Sequence, residues 1–141
     1  MSGCADICLS MDFVSEIEFY SESMPKARTA HTCCECYQRI PVGVVHHRAN
    51  GKCRGAFFTQ RTCAVCHEVR LAFTCGTWTF GDLWECIRGE MFPRWRRNGP
   101  FDCLAKLTTP EAVAYCTAEF NEWRYEREFT DAPTRTPEES P

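Results

Sequence analysis

Two Cys-x-x-Cys pairs, Cys33-Cys34-Glu35-Cys36 and Cys63-Ala64-Val65-Cys66, stand 26 residues apart and carry the clearest chemistry in the chain. Two thiolates separated by two residues reach one metal ion with an unstrained backbone, and four complete the tetrahedral set that zinc takes in structural sites. The spacing predicts one structural Zn2+ on Cys33, Cys36, Cys63 and Cys66, with no coordination position left for water. Cys34 competes for a place, but one residue between it and Cys36 gives a poorer bite. His31 or His67 would instead make a three-cysteine, one-histidine site. Cys63 to His67 also matches the attachment motif of c-type haem, and a single pair would suit a thioredoxin-like dithiol. A second, correctly spaced pair favours zinc over both.

The remaining cysteines, Cys4, Cys8, Cys53, Cys75, Cys86, Cys103 and Cys116, have no ligand spacing beyond the weak Cys4-x-x-x-Cys8. Small buried thiols are their simplest role, and a second zinc from this set stays open. The chain has no Gly-rich phosphate loop, no Gly-x-Ser-x-Gly and no zinc-protease helix motif, so an enzyme is not expected. For nucleic acid the candidates are Lys52, Arg54 and Arg61 on a hairpin, Arg70 on a helix, and the run Arg94-Trp95-Arg96-Arg97. Cations interleaved with an aromatic suit phosphate contact with base stacking. The competing reading is a solvated basic loop whose Trp95 packs into the core.

The elements that must position the cysteines are legible in part. Val42 to Arg48 and Arg54 to Arg61 read as strands joined through Ala49-Asn50-Gly51-Lys52, because Asn-Gly is a strong hairpin signal. Thr62 reads as the cap of a helix that starts at Cys63 and stops near Cys75-Gly76. Gly81 to Glu90 reads as a short helix with Leu83, Trp84 and Ile87 inward, followed by a loop marked by Pro93 and Gly99-Pro100. Thr109 and Pro110 open a last helix whose apolar stripe is Val113, Cys116, Phe120 and Trp123. That stripe is core or faces a partner, with Phe120 and Trp123 as the candidate anchors. A short period from Phe13 to Tyr20 fits either a helix or an edge strand.

Knuckle, hairpin and helix in this order predict an α+β fold built on a treble-clef or zinc-ribbon-like module, completed by a C-terminal amphipathic helix. Residues 1–30 form an acidic N-terminal segment, 31–129 the zinc-binding domain, and 130–141 a tail whose prolines and scarce apolar residues predict disorder. Residues 1–25 contain acids and no base, whereas 26–70 hold eight Lys or Arg against Glu35 and Glu68. Such a basic middle attracts polyanions unless the acidic arms fold back on it. Twelve cysteines in 141 residues would read as a disulfide scaffold in a secreted protein. The acidic start lacks a signal peptide's basic region and no run suits a membrane span, which points to a reducing cytoplasm and to metal.

The segment from Pro25 through Lys26, Arg28 and His31 to Cys36, with Gly43, the pair Cys63/Cys66 and Phe80-Gly81-Asp82-Leu83-Trp84-Glu85, resembles a group of small uncharacterised proteins of tailed bacteriophages and prophages. The resemblance covers about Pro25 to Glu90. It departs at Tyr37, where that group often has Gly, and in the extra cysteines Cys53, Cys75 and Cys86. It implies a phage origin and a location in the bacterial host cytoplasm. The expected function is therefore an accessory protein that binds a host or phage protein, inhibiting host machinery or defence. The alternative is a nucleic-acid-binding zinc module, and a cysteine/histidine enzyme ranks third.

Overall fold

The structure, a computed structural model, describes residues 17–74, 80–99 and 102–131. Cys4, Cys8, Cys75, the side chain of Cys103, most of the acidic N-terminal segment and the tail from 132 lie outside the described residues. Strands β1 (Ile17–Ser23), β2 (His31–Thr32), β3 (Arg39–Ile40), β4 (His47–Cys53) and β5 (Ala56–Thr62) come first. Helices α1 (Ala64–Phe73), α2 (Leu83–Cys86), α3 (Phe92–Asn98) and α4 (Pro110–Asp131) follow, with a π turn, Ile87–Met91, joining α2 to α3. The fold is α+β: an antiparallel sheet in the order β1-β4-β5, the small β2-β3 ribbon, and the helices. Of the stretch that read as helix or edge strand, Ile17 to Tyr20 belong to the edge strand β1, and its first residues, Phe13 and Val14, lie outside the described residues.

The hairpin exists, but its turn is not Asn50-Gly51. Arg54 and Gly55 both have positive φ, 52° and 81°, and form a two-residue loop between Cys53 and Ala56. Such a pair gives the primed turn whose twist matches antiparallel strands. Gly51 lies mid-strand for a packing reason: a Cβ there would come 2.3 Å from Cζ of Phe58 and 2.9 Å from the carbonyl oxygen of Phe19. Gly51→Ala is therefore expected to cost about 1–3 kcal/mol, a typical overpacking penalty, read as a lower urea midpoint. An unchanged midpoint would show that Phe58 does not occupy that space.

Helix α1 is capped by Cys63 itself rather than by Thr62, since the Cys63 side chain accepts from the amide of Cys66. Thr62 is instead buried at the end of β5, where its hydroxyl accepts from Arg70 at 3.1 Å. Leu83, Trp84 and Ile87 face inward as their spacing predicts. Pro93 does not open a loop; it lies near the start of α3, directly after the π turn, whose wider frame accommodates a residue without an N–H inside a continuous helical run. Gly99, at φ 87°, ends that helix.

Thr109 caps α4 by accepting from the Ala112 amide at 3.2 Å. The buried stripe is Ala112, Cys116, Phe120 and Trp123, while Val113 is 40% exposed, so the face is turned one residue from the predicted one. The helix runs to Asp131, two residues into the segment expected to be disordered. Phe92 sits among Trp95, Phe120 and Trp123 at ring separations of 5.4–6.0 Å. This aromatic cluster continues the core that holds Cys33 and Cys66.

Candidate metal centre and the open sheet face

The first pair lies in the turn between β2 and β3. Cys33 donates its amide to the carbonyl of Gln38 at 2.9 Å, and the Tyr37 amide returns to the carbonyl of Cys33 at 3.0 Å. Tyr37 adopts φ 63°, the left-handed conformation that non-glycine residues seldom take. The second pair brackets the start of α1. The sulfurs of Cys33, Cys36, Cys63 and Cys66 all lie within 4.8 Å of one another, with Cys36 and Cys63 3.9 Å apart. A tetrahedron with bonds of about 2.3 Å places its sulfurs about 3.8 Å apart, whereas a disulfide needs about 2.05 Å. The four cysteines can hold a metal ion, and they are free thiols.

Backbone and indole donors converge on the same sulfurs. Cys33 Sγ accepts from the amides of Glu35, Cys36 and Cys63 at 3.3–3.5 Å, and Cys66 Sγ accepts from the indole N–H of Trp84 at 3.2 Å. Hydrogen bonds with Cys36, Cys63 and Cys66 hold Cys33 far below the thiol range. Cys36, opposed by Cys33 but favoured by Cys63 and Cys66, comes down to about 7. Cys63 is pushed up by Cys33 and Cys36, and Cys66 by Cys33, Cys36 and Cys63. The first protons thus leave easily and the last resist, which is the charge deficit a divalent cation supplies.

The residue between the ligands anchors the whole arrangement. Glu35 and Arg70 form an ion pair whose side chains are both 0% exposed. Glu35 also accepts from the amides of Gly81 at 3.1 Å and Leu83 at 3.0 Å, so it caps the entry to α2 from a distance. Arg70 lies under the ring of Phe80 at 5.0 Å. The Phe80-Gly81-Asp82-Leu83-Trp84 motif therefore buttresses the cysteines from outside. Sequence spacing had no signal for Glu35, because an acid inside a Cys-x-x-Cys pair reads as solvent-exposed.

Cys34 and the flanking histidines are not in the cluster. Burial raises the Cys34 thiol, whose sulfur sits 3.4 Å from the Thr62 hydroxyl. His67 stacks on His47 at 4.0 Å, and His47 contacts Glu22 at 2.6 Å. His31 faces His46 at 5.6 Å.

The other predicted site residues scatter. Arg70 is buried in the ion pair and offers nothing to a phosphate. Trp95 is partly buried against the core, stacked on Phe120 at 4.0 Å, and its neighbours Arg94, Arg96 and Arg97 belong to α3 rather than to a loop. Phe120 and Trp123 are 4% and 8% exposed, so they are core and not partner anchors. Lys52, Arg54 and Arg61 do lie on the hairpin.

There the register makes a surface that no single segment announced. Across β1, β4 and β5, the rows Ser23-Arg48-Arg61, Ser21-Asn50-Thr59 and Phe19-Lys52-Phe57 share one face. The opposite face carries buried His47, Ala49 and Gly51 and meets α1 through the His47–His67 stack. On the open face Phe57 is 74% exposed and Phe19 45%, their rings 6.0 Å apart, with Lys52 over Phe57 and near Glu18 at 3.4 Å.

Compared with known protein families, with curated proteins and with solved structures, the chain matches none. Among the described residues no helix is long and apolar enough to cross a membrane.

Proposed function

We propose that the chain is a treble-clef-like binding module held by one structural zinc, and that it binds single-stranded nucleic acid on the open face of β1-β4-β5. Four thiolates fill a tetrahedral zinc, so the metal organises the fold and performs no chemistry. One observation carries the binding reading: a cationic row, a polar row and an aromatic row follow one another down a face that none of the described helices covers. From Arg61 to Phe57 is about 13 Å of extended strand, the reach of a short oligonucleotide whose phosphates meet the arginines while bases stack on Phe57 and Phe19. The resemblance to phage proteins fits a role inside an infected bacterium.

Mobility or anisotropy measurements with single-stranded DNA and RNA test this. Affinity should fall as salt rises, and Phe57→Ala should cost about 1–3 kcal/mol of binding, one stacked base. Because Phe57 is on the surface, that variant should keep its zinc and its unfolding midpoint. No binding of either nucleic acid at low salt would overturn the proposal. The protein-partner reading keeps one observation, the exposed Val42, Val44 and Val45 before β4. A protein that co-purifies after nuclease treatment, and is lost on Val44→Asp, would favour it.

A further inference from the structure

Beside the cationic row is a concavity of about 370 Å³, lined by Pro25, Lys26, Arg28, Thr29, His31, Arg48 and Arg61, and by no carboxylate among the described residues. We infer that this pocket receives a terminal phosphate, the monoester at the end of a nucleic-acid strand lying on the sheet; it rests on the nucleic-acid reading above.

Arg48 and Arg61 stand directly opposite each other in the β4-β5 ladder, an arrangement that is destabilising for like charges. None of Lys26, Arg28, Arg48 and Arg61 is ion-paired among the described residues. Arg61 instead donates to Nε2 of buried His46 at 2.9 Å, while Nδ1 of that ring points to the Val44 carbonyl at 3.3 Å. A neutral ring so oriented fixes the guanidinium without cancelling its charge. Nε of Arg48 is buried with no hydrogen-bond partner. Lys26 and Arg28 close the pocket from the chain before β2. These features describe a preorganised anion site. A diester continues in both directions and needs an open groove, whereas a monoester ends the strand, carries about 1.5 to 2 negative charges and offers three acceptor oxygens.

The test compares oligonucleotides of one sequence bearing a 5′-phosphate, a 3′-phosphate or hydroxyl ends, by anisotropy, alongside titration with inorganic phosphate. One phosphorylated end should bind at least about tenfold more tightly than hydroxyl ends, the worth of a charge-assisted hydrogen bond, and inorganic phosphate should compete. Arg28→Ala and Lys26→Ala, both at exposed positions, should reduce that preference while retaining zinc and the unfolding midpoint; Arg48→Ala should remove it. Equal affinity for all three ends would overturn the pocket and leave the sheet reading standing. Inorganic phosphate bound by wild type and lost in Arg28→Ala, with no oligonucleotide bound, would keep the anion site and overturn the nucleic-acid reading. Silence from every probe would overturn both.

Discussion

Stripping the metal with a chelator, or replacing Cys36 or Cys66 by Ser, is expected to abolish cooperative unfolding. The centre is where the β2-β3 turn meets α1, and two of its sulfurs belong to fully buried residues, Cys33 and Cys66. Structural zinc contributes an apparent free energy of about 10–16 kcal/mol, comparable with the whole stability of a small domain at about 5–15 kcal/mol. A urea titration followed by far-ultraviolet circular dichroism should lose its sigmoid, and about four thiols should become quickly reactive. An increase nearer eight would reveal a second zinc. A metal-free protein that still unfolds at the wild-type midpoint would contradict the structural role.

Glu35→Ala is expected to be the most damaging single change outside the ligands. It removes the carboxylate that pairs with the buried Arg70 guanidinium and deprives the Gly81 and Leu83 amides of their acceptor. Breaking a buried pair from one side costs about 3–5 kcal/mol. Because Glu35 lies between two ligands, zinc affinity should fall as well, by about 10–100-fold, as for other residues that orient a metal site. Denaturation and competition with a chelator measure the two effects. Glu35→Gln combined with Arg70→Met, which removes both charges, should recover part of the loss. If Glu35→Ala stays within about 1 kcal/mol of wild type, a typical surface-like effect, the ion pair is not the anchor described here.

The four-cysteine cluster was legible because metal geometry acts over short sequence distances: two residues between thiols is a local constraint, and Cys63 at a helix start adds another. The cap at Thr109 was legible for the same reason. What depended on register was not. Placing the turn at Asn50-Gly51 would have kept Arg48 from facing Arg61, so the cationic row was invisible until Arg54-Gly55 was seen to turn the chain and Gly51 to lie under Phe58. Residue type alone also misjudged burial. Arg70 looked like a phosphate ligand and Phe120 and Trp123 like anchors, yet the helical half folds over them: Glu35 neutralises the first, and Phe92 and Trp95 pack among the others. Pro93 marked a loop by propensity, but the π turn before it accommodates a proline in the helix.

The most direct measurement is metal content per chain, joined to the absorption spectrum of the protein refolded with Co2+. One zinc per chain and the intense bands of a tetrahedral cobalt tetrathiolate are the expected result, since the four sulfurs of Cys33, Cys36, Cys63 and Cys66 are the only cluster of metal-binding side chains among the described residues. Protein purified without metal, or a cobalt spectrum that requires nitrogen or oxygen ligands, would contradict it.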